Sequence, residues 1–390
     1  MEFDFFANHL VQFGPGKIDR LPELVGLYGD TLLLITGAGS FQKSEHCPQL
    51  LNELRKKSIT IYQATVKTEP SPLIIDDIIS KYRDQNIDVI AAIGGGSVID
   101  AGKAVSAMMT KKESIIEYLS GVGNRPHDGK KVPFIALPTT SGTGSEATKN
   151  AVISQLGKNG FKKSLRHDNF VPDIAVVDPE LTLNCPARIT AACGMDALTQ
   201  LLESYISTNA CAMTDSLAYG ALTVMGDSLI PASTTQPENI ELRTRISYAS
   251  YISGLTLANA GLGVVHGFAS VIGGLFDIPH GIVCGTLLAQ TCRINIESLI
   301  QIDPDGIALK KYNEASNLLD PSNQLSDHVD GSRALVSLLD AWTSQLDIPT
   351  LGSYGVADKD IDRIVKSTGL KNNPVMLSSE QLAQILRARL

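Results

Sequence analysis

The sequence predicts an N-terminal α/β domain built on a parallel, wound sheet, followed by an all-helical domain. Three observations predict it. Strand-length apolar runs alternate with helix-spaced segments as far as Asp178-Pro179, and several of those runs end in glycine-bearing loops. Beyond Pro179 the β-branched runs stop and apolar residues recur at helical spacing. The boundary falls at 182/183, giving domains 1–182 and 183–390. A chain of 390 residues with 43% hydrophobic content is long enough to bury a core in each.

The elements follow in order. Phe13-Gly-Pro-Gly-Lys17 is a turn signal, and Ile18 to Leu27 has helical spacing. Thr31 to Ile35 reads as a buried strand ending in Thr36-Gly-Ala-Gly-Ser40, before a helix over Phe41 to Lys57. Ser58 to Tyr62 is a further strand, and Ser71 to Tyr82 a helix opened by Pro70 and Ser71. Ile87 to Ile93 has the length of a strand buried on both faces, and a helix begins near Ser97. Val132 to Leu137 is the next strand, running into Pro138-Thr-Thr-Ser-Gly-Thr-Gly-Ser-Glu146, a loop expected to lead into a helix. In the second domain, helical spacing covers Pro186 to Leu202, Met213 to Met225, Glu241 to Ala260 and Gly263 to Gly274. Shorter amphipathic helices follow over Ser332 to Leu346, Asp358 to Thr368 and Ser379 to Leu390; Pro231 to Pro237 and Pro304 to Lys311 read as exposed connections.

The loops carry the chemistry of the first domain. Gly94, Gly95 and Gly96 let the backbone turn sharply and leave amides free at the start of the helix with Ser97, a place for a phosphate; a tight turn without ligand is the other reading. Thr139, Thr140, Thr143 and Ser145 offer short donors suited to a pyrophosphate or a nicotinamide ribose, or else form an ST-turn and helix cap. Ligands of open wound sheets sit at the carboxyl ends of the strands, so Gly37, Gly39 and Ser40 are candidates as well. No carboxylate stands from Thr36 to Lys43 to grip a ribose diol, which tilts the choice from NAD toward NADP.

Composition narrows the partners. A net charge of −8 and a pI near 5.4 argue against nucleic acid or an anionic membrane as the main partner. The six cysteines have no C-x-x-C pairing and read as reduced and buried. Met1-Glu-Phe-Asp-Phe-Phe lacks the basic start of a targeting peptide, and Gly261 to Phe276 falls short of the roughly 20 residues of a bilayer span, so the cytoplasm is the expected location.

Gly94-Gly-Gly-Ser-Val-Ile-Asp100, Pro138 to Glu146, Pro172-Asp-Ile-Ala-Val-Val-Asp-Pro-Glu-Leu-Thr182, Gly194-Met-Asp-Ala-Leu198 and Ile278-Pro-His-Gly281 occur in one order and spacing. In that order the chain resembles the iron-containing (group III) alcohol dehydrogenases, from Phe13-Gly-Pro-Gly16 to Asn373-Pro374. The resemblance implies a dehydroquinate synthase-like fold, with a nucleotide-binding α/β domain, an all-helical domain, and metal and substrate in a cleft between them. It implies one divalent metal, Fe²⁺ or Zn²⁺, held by Asp196, His266 and His280 as the catalytic centre, with Gln200 where the family usually has a histidine. An amide oxygen is a poorer donor than imidazole, so Gln200 either coordinates weakly or yields its place. The family's later helix often reads H-x-x-x-H; here the second place is Ser270, which cannot accept a proton near neutral pH. Asp100 and Asn150 fall toward the nicotinamide, and Lys162, beside Lys163, where relatives contact the cofactor ribose.

Taken alone, these residues have ordinary readings too: Asp100 and Asp196 as helix caps or dipole partners, the histidines as core residues, the lysines as a solvated pair. The resemblance implies a metal-dependent NAD(P)-linked alcohol dehydrogenase or aldehyde reductase acting on a small alcohol or aldehyde. Maleylacetate reductase-like or dehydroquinate synthase-like chemistry, or a cofactor-binding protein with little catalysis, are the alternatives. A homo-oligomer, dimer or larger, is expected.

Overall fold

The computed structural model describes residues 2–157 and 160–390; Met1, first of the stretch read for targeting signals, lies outside them. The chain divides into two compact units, one mainly Phe6–Gln155 with Lys162–Cys185, the other mainly Pro186–Leu390.

The first unit is a six-stranded parallel sheet. Its strands are β1 (Leu10–Phe13), β2 (Thr31–Gly37), β3 (Thr60–Val66), β4 (Val89–Gly94), β5 (Phe134–Pro138) and β8 (Ile174–Val177), ordered β1-β8-β5-β4-β2-β3. Register across the middle runs Ile35 to Ala92, Ala92 to Ala136 and Ala136 to Ala175. Every residue of β4 and β5 is buried, which is why both read as unbroken apolar runs. From β2 the chain steps outward to β3 and then returns to the other side of β2 for β4. The order therefore reverses between β2 and β4, and at such a switch point the carboxyl ends of an open sheet form a crevice.

Local chemistry sets the connections. The Ser71 hydroxyl caps helix Pro72–Tyr82, accepting from the Ile74 amide at 3.4 Å. Asp178 accepts from the amides of Ile18 at 2.9 Å, Glu180 at 3.0 Å and Gly16 at 3.2 Å. One buried carboxylate thus ties the Phe13-Gly-Pro-Gly16 turn to the end of β8.

Three sequence expectations are corrected here. The Pro138–Glu146 loop leads into a single 3-10 turn, Ser145–Ala147, and then a separate two-stranded sheet of β6 (Asn150–Gln155) and β7 (Phe161–Arg166), not a helix. β6, Asn-Ala-Val-Ile-Ser-Gln, has only three apolar residues in a row, and β7, Phe-Lys-Lys-Ser-Leu-Arg, is interrupted by charge. Pro304 to Lys311 and Pro231 to Pro237 are not simple connections: helix Ile307–Leu319 starts inside the first and helix Leu229–Ser233 reaches into the second. Of the six cysteines only Cys284 and Cys292 are buried; Cys47, Cys185, Cys193 and Cys211 are partly exposed.

The second unit is helical throughout its described residues. Its main elements are Ala187–Tyr205, Ala212–Gly226, Ile240–Ala260, Val264–Leu275, His280–Ile302 and His328–Gln345. The 23-residue helix His280–Ile302 was not read from the sequence, because its residues are buried on most sides and show no amphipathic stripe. Among the described residues no single helix is long and apolar enough to cross a membrane.

Candidate active site

The predicted cofactor residues of the first unit gather at the carboxyl edge of the sheet. Gly37, Gly94 and Pro138 end the adjacent strands β2, β4 and β5, and Gly94 pairs with Pro138 in register. The Thr139 amide donates to the Gly94 carbonyl at 2.9 Å, holding the glycine and hydroxyl loops together. Neither Gly94 nor Gly96 needs a left-handed backbone; each is required by close approach. A Cβ on Gly94 would lie 2.6 Å from Val98, and one on Gly96 2.7 Å from Thr143. Gly95 caps helix Gly96–Met108, whose first amides face this edge.

The hydroxyls partly satisfy one another. Thr143 Oγ1 donates to Ser145 Oγ at 3.1 Å and accepts from the Ser145 amide at 3.3 Å, which is the ST-turn weighed above. Ser97 and Lys162 converge on Glu69, at 2.8 Å and 3.2 Å, a carboxylate the sequence reading did not single out. Asp100 accepts from the Val152 amide at 3.0 Å. Burial raises the Asp100 carboxyl while Lys103, 3.7 Å away, opposes it. Lys103, also missed, is fully buried and donates to the carbonyls of Ser145 and Asn150 at 2.7 and 2.8 Å and to Thr148 Oγ1 at 2.9 Å. Burial lowers it to about 8. It fixes the hydroxyl loop and the start of β6 against helix Gly96–Met108.

The second unit holds the other predicted cluster. Asp196 and Gln200 lie one turn apart on helix Ala187–Tyr205, His266 stands in the first turn of helix Val264–Leu275, and His280 opens helix His280–Ile302. Gly281 has to be glycine, because a Cβ there would lie 2.3 Å from the Ala192 carbonyl; this contact presses the His280 turn onto the Asp196 helix. His266 Nε2 comes within 3.3 Å and His280 Nε2 within 3.7 Å of Asp196 Oδ1. That oxygen is buried and has no donor in hydrogen-bonding geometry.

Two further side chains complete the cluster, and neither was foreseen. Glu203 Oε2 accepts from His266 Nδ1 at 2.7 Å, and its other oxygen accepts from the Val265 amide at 2.7 Å. Cys284 Sγ lies 3.7 Å from His266 Nε2 and 3.8 Å from His280 Nε2. The donor atoms of Asp196, His266, His280 and Cys284 all fall within 4.8 Å of one another. A spacing signal existed for both: Glu203 is seven residues after Asp196 and Cys284 four after His280, each on the same helix face as its predicted ligand.

Gln200 is placed differently from the others. Its Oε1 accepts from the Ser253 hydroxyl at 2.7 Å. Ser270, where a second imidazole was sought, donates to the His266 carbonyl at 2.7 Å. Desolvation acts to raise Asp196, but His280, His266 and Cys284 outweigh it and hold the carboxyl below its usual range. Desolvation would lower His266; Cys284, Asp196 and Glu203 outweigh it and raise it well above the ordinary imidazole value. Two carboxylates, Asp196 and Glu203, thus bear on a point that favours positive charge, burial pushes the Cys284 thiol up to about 12, and carboxylate, two imidazoles and sulfur are a set that transition metals accept. The residues fit a divalent cation.

Fold and site together define the class: an oxidoreductase acting on alcohols, as comparison with known proteins shows. The profile described as "Iron-containing alcohol dehydrogenase" matches residues 8–179, and "Fe-containing alcohol dehydrogenase family, C-terminal" matches residues 190–390. The chain is 32% identical to long-chain-alcohol dehydrogenase 1 of Geobacillus thermodenitrificans, over 92% of this chain and 88% of that protein. It is 30% identical to the NAD-dependent methanol dehydrogenase of Bacillus methanolicus, over 98% and 99% of the two chains. The crystal structure of a 1,3-propanediol oxidoreductase superposes with a TM-score of 0.89 at 28% identity, covering 100% of both chains. The protein belongs to the iron-containing alcohol dehydrogenase family.

Proposed function

We propose that the protein is a metal-dependent, NAD(P)-linked dehydrogenase of small primary alcohols, and in reverse a reductase of the matching aldehydes. The observation that carries this reading is the convergence of His266 Nε2 and His280 Nε2 on the buried oxygen of Asp196. A divalent cation bound there would supply Lewis acidity to the alcohol oxygen, and nicotinamide would accept the hydride from the alcohol carbon. Asp196, His266 and His280 would hold the cation, while Glu203 keeps the Nδ1 proton of His266 in place so that Nε2 presents its lone pair. With Ser270 committed to the His266 carbonyl, the alcohol proton leaves to solvent beside His280, whose side chain is 26% exposed while that of Asp196 is 2% exposed.

On the cofactor side, Gly37, Gly39, Ser40, Gly94, Gly95, Gly96 and Ser97 would cradle the adenosine and phosphates. Thr139, Thr140, Thr143, Ser145, Asp100, Asn150 and Lys162 would surround the nicotinamide half. The turn after β2 has no carboxylate and carries exposed Lys43, which supports NADP over NAD. Methanol and 1,3-propanediol, the alcohols in the names of two relatives, are both primary, which supports a primary alcohol here.

The test is oxidation of NADPH or NADH by a panel of short aldehydes, using protein stripped of metal and then reloaded with Fe²⁺ or Zn²⁺. Metal-dependent loss of reduced cofactor is expected with at least one aldehyde. No metal-dependent turnover on any member of the panel would contradict the reading.

A further inference from the structure

We propose that Cys284 is a direct metal ligand, so that the protein-derived donor set is Asp196, His266, His280 and a thiolate. The inference rests on the metal reading above and deepens it by assigning the fourth protein donor.

Distances make the first argument. Around a tetrahedral cation with metal–nitrogen and metal–oxygen bonds of about 2.0–2.1 Å and a metal–sulfur bond of about 2.3 Å, neighbouring N and O donors stand about 3.3 Å apart and S and N donors about 3.6 Å. The pairs measured are 3.3 Å for His266 Nε2 to Asp196 Oδ1 and 3.7 Å for His280 Nε2 to Asp196 Oδ1. Cys284 Sγ to the two imidazole nitrogens measures 3.7 and 3.8 Å. Four of the six donor separations thus lie near those of a tetrahedral cation, the other two fall within 4.8 Å, and an alcohol oxygen would enter as a fifth ligand.

Charge and hydrogen bonding make the second. With Nδ1 of His266 donating to Glu203, Nε2 is the ring atom turned toward the buried Asp196 oxygen 3.3 Å away, and a metal would take the place of the proton between them. Asp196 is 1% exposed and Cys284 fully buried, and a carboxylate with a thiolate would neutralise a divalent charge on the buried side of the site. Gln200, the other candidate for the fourth place, gives its oxygen to Ser253. A soft sulfur donor also moves the preference toward Zn²⁺ and Co²⁺ and away from Mg²⁺ or Mn²⁺.

Loading the full-length protein with Co²⁺ tests this without reference to activity. The expected spectrum has ligand-field bands of one Co²⁺ per chain together with an intense sulfur-to-cobalt charge-transfer band in the near ultraviolet. In Cys284→Ser the charge-transfer band disappears, the ligand-field bands remain, and Zn²⁺ affinity falls at least about tenfold, since even outer groups at metal sites are worth 10–100-fold. X-ray absorption of Zn²⁺-loaded wild type needs no variant and should show one sulfur scatterer at about 2.3 Å. Ligand-field bands without charge transfer in the wild type, or a charge-transfer band that survives Cys284→Ser, would overturn this assignment and leave the proposed function intact. Failure to take up any Co²⁺ or Zn²⁺ would overturn both.

Discussion

His266 Nδ1 donates to Glu203 Oε2 across 2.7 Å, between residues 63 positions apart. The bond fixes the ring plane of the imidazole proposed to meet the metal through Nε2, and the Val265 amide holds the carboxylate from its other side. Glu203→Gln keeps the shape and removes the charge. Its metal affinity, measured by equilibrium dialysis, should fall about 10–100-fold. Affinity equal to that of the wild type would show that Glu203 serves packing alone.

Gln200 and the two histidines should separate in a metal titration. Gln200→Ala should retain one metal per chain, whereas His280→Ala should lose it under the same dialysis. Loss of metal from Gln200→Ala equal to that from His280→Ala would make Gln200 a ligand after all.

The proposed preference for NADP is tested at the carboxyl end of β2. A Cβ on Gly39 meets nothing within 4 Å, so an aspartate there displaces no neighbour at Cβ, with the backbone, at φ −104° and ψ −120°, shifting to take it. Wild type should show a higher kcat/KM with NADPH than with NADH, and Gly39→Asp should move that ratio toward NADH by about tenfold or more, since a carboxylate repels the 2′-phosphate and grips the ribose diol. A ratio unmoved by the substitution would place the adenosine ribose elsewhere.

Glu146 gives stability a pH dependence of definite sign. Burial raises its carboxyl from 4.5 to about 7, against Lys103 and its own backbone. The folded chain binds this proton more tightly than the unfolded chain. The contribution is therefore fully present below pH 4.5 and is lost as pH rises through about 7, amounting to about 3 kcal/mol. Urea unfolding of Glu146→Gln from pH 4.5 to 8 should lack that fall while the wild type shows it; parallel curves would contradict the assignment.

The readable parts of this chain are those whose burial is one-dimensional. β2, β4 and β5 are enclosed by helices, so Leu32 to Ile35, Val89 to Ile93 and Phe134 to Leu137 stand out as apolar runs. β1, Leu-Val-Gln-Phe, is short and only half-buried, and β7, Phe-Lys-Lys-Ser-Leu-Arg, carries charge through a strand, so neither shows the pattern; β8, Ile-Ala-Val-Val, shows it over just four residues. The metal candidates Asp196, His266 and His280 were named because the motifs around them resemble a family. Glu203 and Cys284 lie outside those motifs. Glu203 matters through a contact made only when helices Ala187–Tyr205 and Val264–Leu275 pack, and Cys284 only once residues 280 to 302 are known to be one helix. Lys103 follows the same rule, since its partners Ser145, Thr148 and Asn150 arrive from beyond the next strand.

The central claim is that one divalent cation, held by Asp196, His266 and His280, drives the redox chemistry. Elemental analysis of purified wild type beside Asp196→Ala and His280→Ala, with aldehyde reduction measured on the same samples, tests it most directly. One Fe or Zn per chain in the wild type, lost together with activity in both folded variants, is the predicted result. Stoichiometric metal in the variants, or full activity without metal, would contradict it.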